Sequence, residues 1–283
     1  MKVPSIDITP LYNSLRKDLR DFLSKYSQEN SPPKVALVIV GDDPASLAYL
    51  NSKKRLAEKL GIESEIVQLS EDIDRKTLLG KIEELSSDNR IDGVMVENTI
   101  PEGAGITYPE IVDHISPWKD LDGSSTVNMG RTAKGLSSIE PATARSVMET
   151  IRYLDIPIGS RICIVNRSIT VGRPLAMMLL NRSFTPIVCH SRSIDIKTIT
   201  DSSPVVVTAV GRAGMIDRSY LSDDAVVIDV GINSVDGRIM GDLDVQSISG
   251  TSIRYTPVPG GIGKLTSLLI FDNLRLSLER KRI

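Results

Sequence analysis

Lys34–Val40 (KVALVIV) is an unbroken apolar run closed by Gly41, and Pro44–Leu60 (PASLAYLNSKKRLAEKL) follows almost at once and stops before Gly61. A continuous run of branched aliphatic residues reads as a strand buried on both faces, the kind found in parallel sheets. A segment that begins with proline and ends before glycine reads as a helix with both ends marked. The strand–helix unit then recurs. Glu65–Leu69 reads as a strand, Asp74–Leu85 as a helix and Ile91–Val96 (IDGVMV) as a third strand. Turn-rich residues, NTIPEGAG and later SPWKDLDGSSTVNMG, break the rhythm, with a short helix near Pro109–His114 as the one periodic element expected there. A second series predicts a helix over Thr143–Tyr153, then strands at Arg161–Val165, Pro186–His190, Pro204–Ala209 and Ala225–Val230. Helices fit Arg173–Leu180 and Ser193–Ile199 between them, and Leu265–Arg280 reads as one long terminal helix that packs back on the first series. Strands separated by helices of this length form parallel sheets. The expected fold class is α/β, two three-layer α/β domains with a cleft between them, the second a Rossmann-like dinucleotide-binding domain. Residues 1–138 plus 266–283 are expected to form the first domain and residues 139–265 the second.

Composition agrees with that reading. At roughly 150 residues per domain, 283 residues make two domains. Thirty-four Lys and Arg against 36 Asp and Glu leave a net charge of −2, too balanced for a protein that wraps nucleic acid or anchors on a membrane through basic residues. An apolar fraction of 41% with 25% charged residues is globular and excludes a disordered chain. No apolar stretch approaches the roughly 20 residues a bilayer span requires, and MKVPSIDITP lacks the apolar core of a secretory leader. A soluble, cytoplasmic protein is expected. Cys163 and Cys189 both lie in apolar runs and read as buried thiols. With neither CxxC nor HExxH, and only His114 and His190 as histidines, no metal site is expected. Acid–base chemistry then falls to Lys, Tyr, Asp or Glu.

Ligands of open parallel sheets sit beyond the carboxyl ends of strands, which directs attention to the loops there. Arg161–Val165 runs into Asn166, Arg167, Ser168, Ile169, Thr170, Val171 and Gly172 before a helix. A strand feeding a helix through small polar residues is where a pyrophosphate binds, on free amides and the positive end of the helix dipole. GxGxxG is absent. In NAD sites the end of the next strand carries an acid for the ribose 2′-hydroxyl; here it reads Cys189, His190, Ser191, Arg192. A carboxylate would repel a 2′-phosphate, whereas Ser and Arg would hold one, so the local reading is NADP over NAD.

In the Pro44–Leu60 helix, Tyr49, Leu56 and Leu60 form a stripe at i, i+7 and i+11 with Lys53 between them. Lys53 therefore emerges from a largely apolar face. Desolvation there disfavours the ammonium relative to the amine and suits the lysine to acid–base work, unless it snorkels at the edge of the stripe. Acids cluster nearby in sequence: Asp120 and Asp122 in KDLDG, and Glu97 directly after a wholly apolar strand. A short Asp-Gly turn accounts for Asp122 equally well.

These motifs converge. VGDDPAS (Val40–Ser46), the YxxxK of Tyr49 and Lys53, IDGVMV, KDLDG with Asn128 and Gly130, SITVGRP (Ser168–Pro174), VCHSR, TAVGRAGMI, VVIDVGIN, GDLD and TPVPGGIG stand in one order. Over essentially its whole length the chain resembles the bifunctional methylenetetrahydrofolate dehydrogenase/methenyltetrahydrofolate cyclohydrolase family. The resemblance implies transfer of hydride from 5,10-methylenetetrahydrofolate to NADP, followed by hydrolysis of the methenyl product to 10-formyltetrahydrofolate. It makes Lys53 the catalytic lysine, Tyr49 the tyrosine packed against the folate ring and Asp122 the aspartate bonded to the pterin. Arg167, Ser168, His190, Ser191 and Arg192 match the NADP loops, Val210, Gly211, Gly231 and Ile232 the nicotinamide-side turns, and Pro259, Gly260 and Gly261 the loop closing the cleft. A homodimer formed through the cofactor domain is implied, with tetrahydrofolate one-carbon derivatives as ligands and neither nucleic acid nor membrane as partner.

The departures from the family pattern carry their own expectations. Val96, Glu97, Asn98, Thr99, Ile100 and Pro101 stand for the usual VQLPLP, so Glu97 replaces a glutamine that partners the lysine. A carboxylate there favours the ammonium by roughly 4 kcal/mol at 4 Å and an effective dielectric near 20, enough to offset partial burial. The cyclohydrolase step is then expected to be slowed or moved to higher pH while hydride transfer survives, unless Glu97 itself serves as the base. Asn166 stands where a glycine usually begins the phosphate loop, so the backbone either avoids positive φ or uses asparagine's tolerance for it. Pro141, Ala142, Thr143 and Ala144 replace PCTP. Lys264 and Leu265 replace Pro-Met, and Lys264 reads as a solvated lysine at a helix start or as a partner of the folate's glutamate tail. Against the enzyme stand a ligand-binding regulator without turnover and a two-domain dehydrogenase acting on an amino or hydroxy acid.

Overall fold

The computed structural model describes residues 5–280. The chain divides into two compact units, one made of Ser14–Arg131, Ser137–Ala142 and Ile270–Ile283, the other of Met1–Asn13, Thr132–Leu136 and Thr143–Leu269.

In the first of these, β1 (Lys34–Val40) lies at the centre of a parallel sheet of order β2–β1–β3, with β2 Glu63–Leu69 and β3 Gly93–Val96. Val35–Val40 are all buried, the reason the run is apolar at every position rather than alternately. α2 (Pro44–Leu60) starts on Asp43, whose carboxylate accepts the Ser46 amide at 2.8 Å, and ends on Gly61 at φ 79°. α3 (Arg75–Ser87) is capped in the same way by Asp74. α4 (Tyr108–Val112) occupies the place expected for a short helix, but the turn-rich stretch also contains α5, Thr126–Ala133. A long helix not read from the sequence, α1 (Thr9–Glu29), buries Leu19, Leu23 and Tyr26 along one stripe. The terminal segment is two helices rather than one, α9 (Ile262–Asp272) and α10 (Leu274–Arg280). They break at Asn273, whose side-chain amide donates to the carbonyls of Leu121 at 2.8 Å and Glu140 at 3.1 Å.

In the other unit, α6 (Ala142–Tyr153) precedes the sheet. Its sheet has order β10–β7–β6–β4–β5, all parallel, with β4 Arg161–Val165, β5 Thr185–Cys189, β6 Val205–Thr208, β7 Val226–Asp229 and β10 Arg254–Tyr255. α7 (Gly172–Asn181) and α8 (Ile196–Asp201) connect them, and β8 (Asn233–Val235) and β9 (Arg238–Met240) form an antiparallel hairpin. The segment before α1 joins this unit at Ile6, whose amide donates to the Tyr255 carbonyl at 2.7 Å. Strand order reverses between β4 and β6, so the loops after these strands flank the point where such sheets bind ligands. Cys163 and Cys189 are buried on β4 and β5 with sulfurs 3.8 Å apart, and burial pushes the Cys163 thiol well above its ordinary range. Among the described residues no helix is long and apolar enough to cross a membrane.

Candidate active site

Four of the residues singled out in the sequence meet around one amine. The buried face of α2 carries Ser46, Leu50, Lys53, Ala57 and Leu60, at spacings of four and three. The stripe is thus rotated from the one expected: Lys53 lies on its centre line, and Tyr49 and Leu56 flank it, each half-buried. Lys53 is 3% exposed, so its head group does not snorkel to water. Its Nζ lies 3.3 Å from Glu97 Oε2, contributed by the residue that follows β3, and 3.8 Å from the centroid of the Tyr49 ring. The ammonium is held by a carboxylate on one side and an aromatic face on the other.

Asp122 enters from the segment that extends the sheet, where the Val94 amide donates to the Lys119 carbonyl and the Leu121 amide donates to the Val94 carbonyl. Desolvation pushes its carboxyl up from 3.8 to about 7; Lys53 pulls it down, while Asp120 and Glu97 push it further up. Tyr108 on α4 donates its hydroxyl to Asp122 Oδ2 at 3.5 Å and is itself raised well above the usual phenol range, first by burial and then by the Asp122 charge. Tyr108 was missed in the sequence; its position directly before the short helix expected near Pro109–His114 was the available signal. Asp120 is buried and turned elsewhere, accepting the Ser125 amide at 2.8 Å and the Asn128 side chain at 3.1 Å. It shapes the turn that presents Asp122. The cluster offers one cation, two carboxylates, a phenol and the half-buried Tyr49 ring, a set suited to polarising a planar heterocycle and moving a proton beside it.

In the other unit, the turn after β4 differs from the expectation of free amides at a helix start. Asn166 Oδ1 accepts the amides of Ser168 at 2.7 Å and Gly172 at 3.0 Å, Ser168 Oγ accepts that of Val171 at 3.1 Å, and the Arg173 amide is bonded to the Ser168 carbonyl. The reason is the side chain that stands in place of glycine: it folds back into the turn, and its own backbone avoids positive φ. Gly172 is required, since a Cβ there would lie 2.1 Å from the Asn166 carbonyl oxygen. At the end of β5 the His190 amide donates to Ser193 Oγ and the Arg192 amide donates to His190 Nδ1 at 3.2 Å, which leaves Ser191 and the Arg192 guanidinium exposed. Arg167 and Arg173 are exposed as well. Exposed guanidinium and hydroxyl donors with no acid at the end of β5 fit a phosphorylated dinucleotide, held by side chains more than by amides. Val210 and Gly211 follow β6 and Gly231 and Ile232 follow β7, Ile232 being 56% exposed. Pro259, Gly260 and Gly261 precede α9, the first two exposed. Lys264 is exposed with its Nζ 4.2 Å from the Tyr12 ring centroid.

A buried charged cluster on one α/β unit and a dinucleotide-type sheet on the other fit a two-domain oxidoreductase class, and comparison with known proteins narrows it. The family model for the tetrahydrofolate dehydrogenase/cyclohydrolase catalytic domain matches residues 6–122, and that for the NAD(P)-binding domain of the same enzymes matches residues 141–282. The bifunctional protein FolD of Picrophilus torridus is 40% identical over 268 residues, 95% of each chain. The crystal structure of the bifunctional 5,10-methylenetetrahydrofolate dehydrogenase/cyclohydrolase of Thermoplasma acidophilum superposes with a TM-score of 0.90 at 37% identity, covering 98% of both chains. The Trypanosoma brucei dehydrogenase–cyclohydrolase, solved with NADP and an inhibitor, gives a TM-score of 0.90 at 26% identity over 100% of this chain and 99% of that one. The chain belongs to the tetrahydrofolate dehydrogenase/cyclohydrolase family.

Proposed function

We propose that the protein oxidises 5,10-methylenetetrahydrofolate with NADP and hydrolyses the resulting 5,10-methenyltetrahydrofolate to 10-formyltetrahydrofolate. The observation that carries this reading is the buried Lys53 amine set between the Tyr49 ring and Glu97, with Asp122 in the same electrostatic cluster. Tyr49 offers a flat face to the reduced pterin. Asp122, as carboxylate, accepts the N–H donors on the pterin edge. NADP, when bound, supplies the hydride acceptor that turns the methylene bridge into the methenyl cation. Hydride transfer asks little of acid–base groups and much of positioning, so these contacts supply most of what the protein adds to that step. In the second step water adds to the methenyl carbon and gives one proton to a base; the ring C–N bond then breaks with its electron pair going to nitrogen, which takes up a proton as the remaining hydroxyl proton leaves and the formyl C=O forms. Lys53 is positioned to accept a proton as amine or to orient water as ammonium, with Glu97 as its charge partner and as the second candidate base.

Asn166 and Gly172 shape the turn from which Arg167 and Ser168 would hold the diphosphate region, Ser191 and Arg192 with His190 would hold the adenosine 2′-phosphate, and Val210, Gly211, Gly231 and Ile232 the nicotinamide side. Pro259, Gly260 and Gly261 belong with the folate. The assignments of residues 1–138 plus 266–283 to folate and 139–265 to NADP, a homodimer through the cofactor unit and a cytoplasmic location complete the proposal. A spectrophotometric assay for methenyl formation from methylenetetrahydrofolate with NADP+, and for its subsequent loss, tests both activities. Absence of the first in the purified chain refutes the reading.

A further inference from the structure

Two acidic residues with no assigned role, Asp229 at the end of β7 and Asp242 after the β8–β9 hairpin, are buried and interlocked. Asp242 Oδ2 accepts the Thr208 hydroxyl at 3.2 Å and the amides of Val210 and, at 3.3 Å, Gly211, while Oδ1 accepts the Arg212 amide and the Asn233 side chain, each at 3.0 Å. Three consecutive amides converging on one carboxylate form an anion-binding nest. In this chain the anion is its own side chain. Asp229 does the reciprocal task, accepting the Gly231 and Asp242 amides on Oδ1 at 3.0 and 3.1 Å and the Leu243 amide on Oδ2 at 2.9 Å. Each carboxylate lies where only glycine allows it. A Cβ on Gly231 would be 2.2 Å from Asp242 Cγ, and one on Gly241 would be 2.0 Å from Asp229 Oδ2.

The loops so tied are the ones after β6 and β7, and the first is tied a second time by Asn166, whose Nδ2 donates to the Ala209 carbonyl at 2.6 Å. We infer that Asp242 is a positioning residue for the cofactor: it occupies the Val210–Arg212 nest, excludes phosphate from it, and presets these loops as the wall for the nicotinamide half. This rests on the functional reading above and names how that site is held. A lock of this kind acts on one end of the dinucleotide only, because the Ser191 and Arg192 end is on a different strand.

The test uses the full chain, wild type, Asp242→Asn and Gly231→Ala. Asparagine must point an N–H at one of the nest amides, and alanine displaces the carboxylate with its charge intact. Calorimetric titration is expected to show NADP+ bound about tenfold more weakly in both variants, with 2′,5′-ADP bound as in wild type. Amide hydrogen exchange of the cofactor-free chain is expected to show Val210, Gly211 and Arg212 protected in wild type and opened in both variants. Equal weakening of NADP+ and 2′,5′-ADP, or unchanged NADP+ affinity in the variant that folds, overturns the inference. Wild type that binds no NADP+ overturns the functional reading instead, and is seen before any variant is made.

Discussion

Asp122 has a carboxyl raised from 3.8 to about 7 by burial, and the consequence for stability follows by linkage. The gap of about 3 units corresponds to about 4 kcal/mol at 1.36 kcal/mol per unit, the free energy by which the fold disfavours the carboxylate relative to the unfolded chain. Because the folded value lies above the unfolded one, the native protein keeps a proton that the unfolded chain has released. Stability is therefore lost as pH rises from roughly 4 to 7, and the loss is complete above that. Asp122→Asn, of nearly the same shape, cannot titrate. The stability of the variant minus that of wild type is expected to climb by about 4 kcal/mol between pH 4 and 7.5 and then level off. Lys53 opposes the rise, so Lys53→Met in the otherwise native chain should widen the window upward. Urea unfolding at half-unit pH steps reads the difference directly. A difference that stays constant to within about 1 kcal/mol across the window refutes the argument. The same group has a functional signature: kcat/KM for the folate should fall as pH drops below about 7, since only the carboxylate accepts the pterin's donors.

Glu97 Oε2 lies 3.3 Å from the buried Lys53 Nζ, so Glu97→Gln should change the pH dependence of methenyl hydrolysis and leave the dehydrogenase rate within about threefold. Unchanged pH dependence of hydrolysis would discard this. Arg192→Ala should lower kcat/KM for NADP+ by about tenfold or more and leave that for NAD+ unchanged; equal losses would show that Arg192 does not read the 2′-phosphate. Asn166→Ala removes the acceptor of two amides and the donor to Ala209, and should destabilise the cofactor-free chain by about 1–3 kcal/mol, read as a lowered Tm.

The central strands and α2 were legible because their signals are local. Val35–Val40 are buried on both faces, and proline and glycine sit at the two ends of the helix that follows. What was not legible depends on distant atoms or on narrow patterns. α1 buries a thin stripe in a heavily charged segment, so its periodicity is easily lost. The terminal helix breaks at Asn273 because two carbonyls, far away in sequence, capture its side chain. The β8–β9 hairpin was not read from the sequence although its signal is local: Asp236 and Gly237 take φ of 49° and 73°, the turn that an Asp-Gly pair between short strands favours.

The site divides along the same line. A lysine at helical spacing among apolar residues was readable, and correcting the stripe to Ser46, Leu50, Lys53, Ala57 and Leu60 places the amine deeper in the fold. Its charge partner arrives from the end of a strand 44 residues away, and the sequence offered Glu97 only as an acid after an apolar run. The loops of the other unit carry the sharper lesson. A turn rich in small residues after a parallel strand says that amides converge there; it does not say whose oxygen they meet. In the turn after β4 that oxygen is largely Asn166's, and in the turn after β6 it is Asp242's. A chain that fills these positions with its own side chains has turns fixed before any ligand arrives, and on the reading proposed above it would meet a phosphate through what it leaves exposed, Arg167, Arg173, Ser191 and Arg192. On that reading, specificity for a phosphorylated dinucleotide would reside in side chains, where single substitutions reach it.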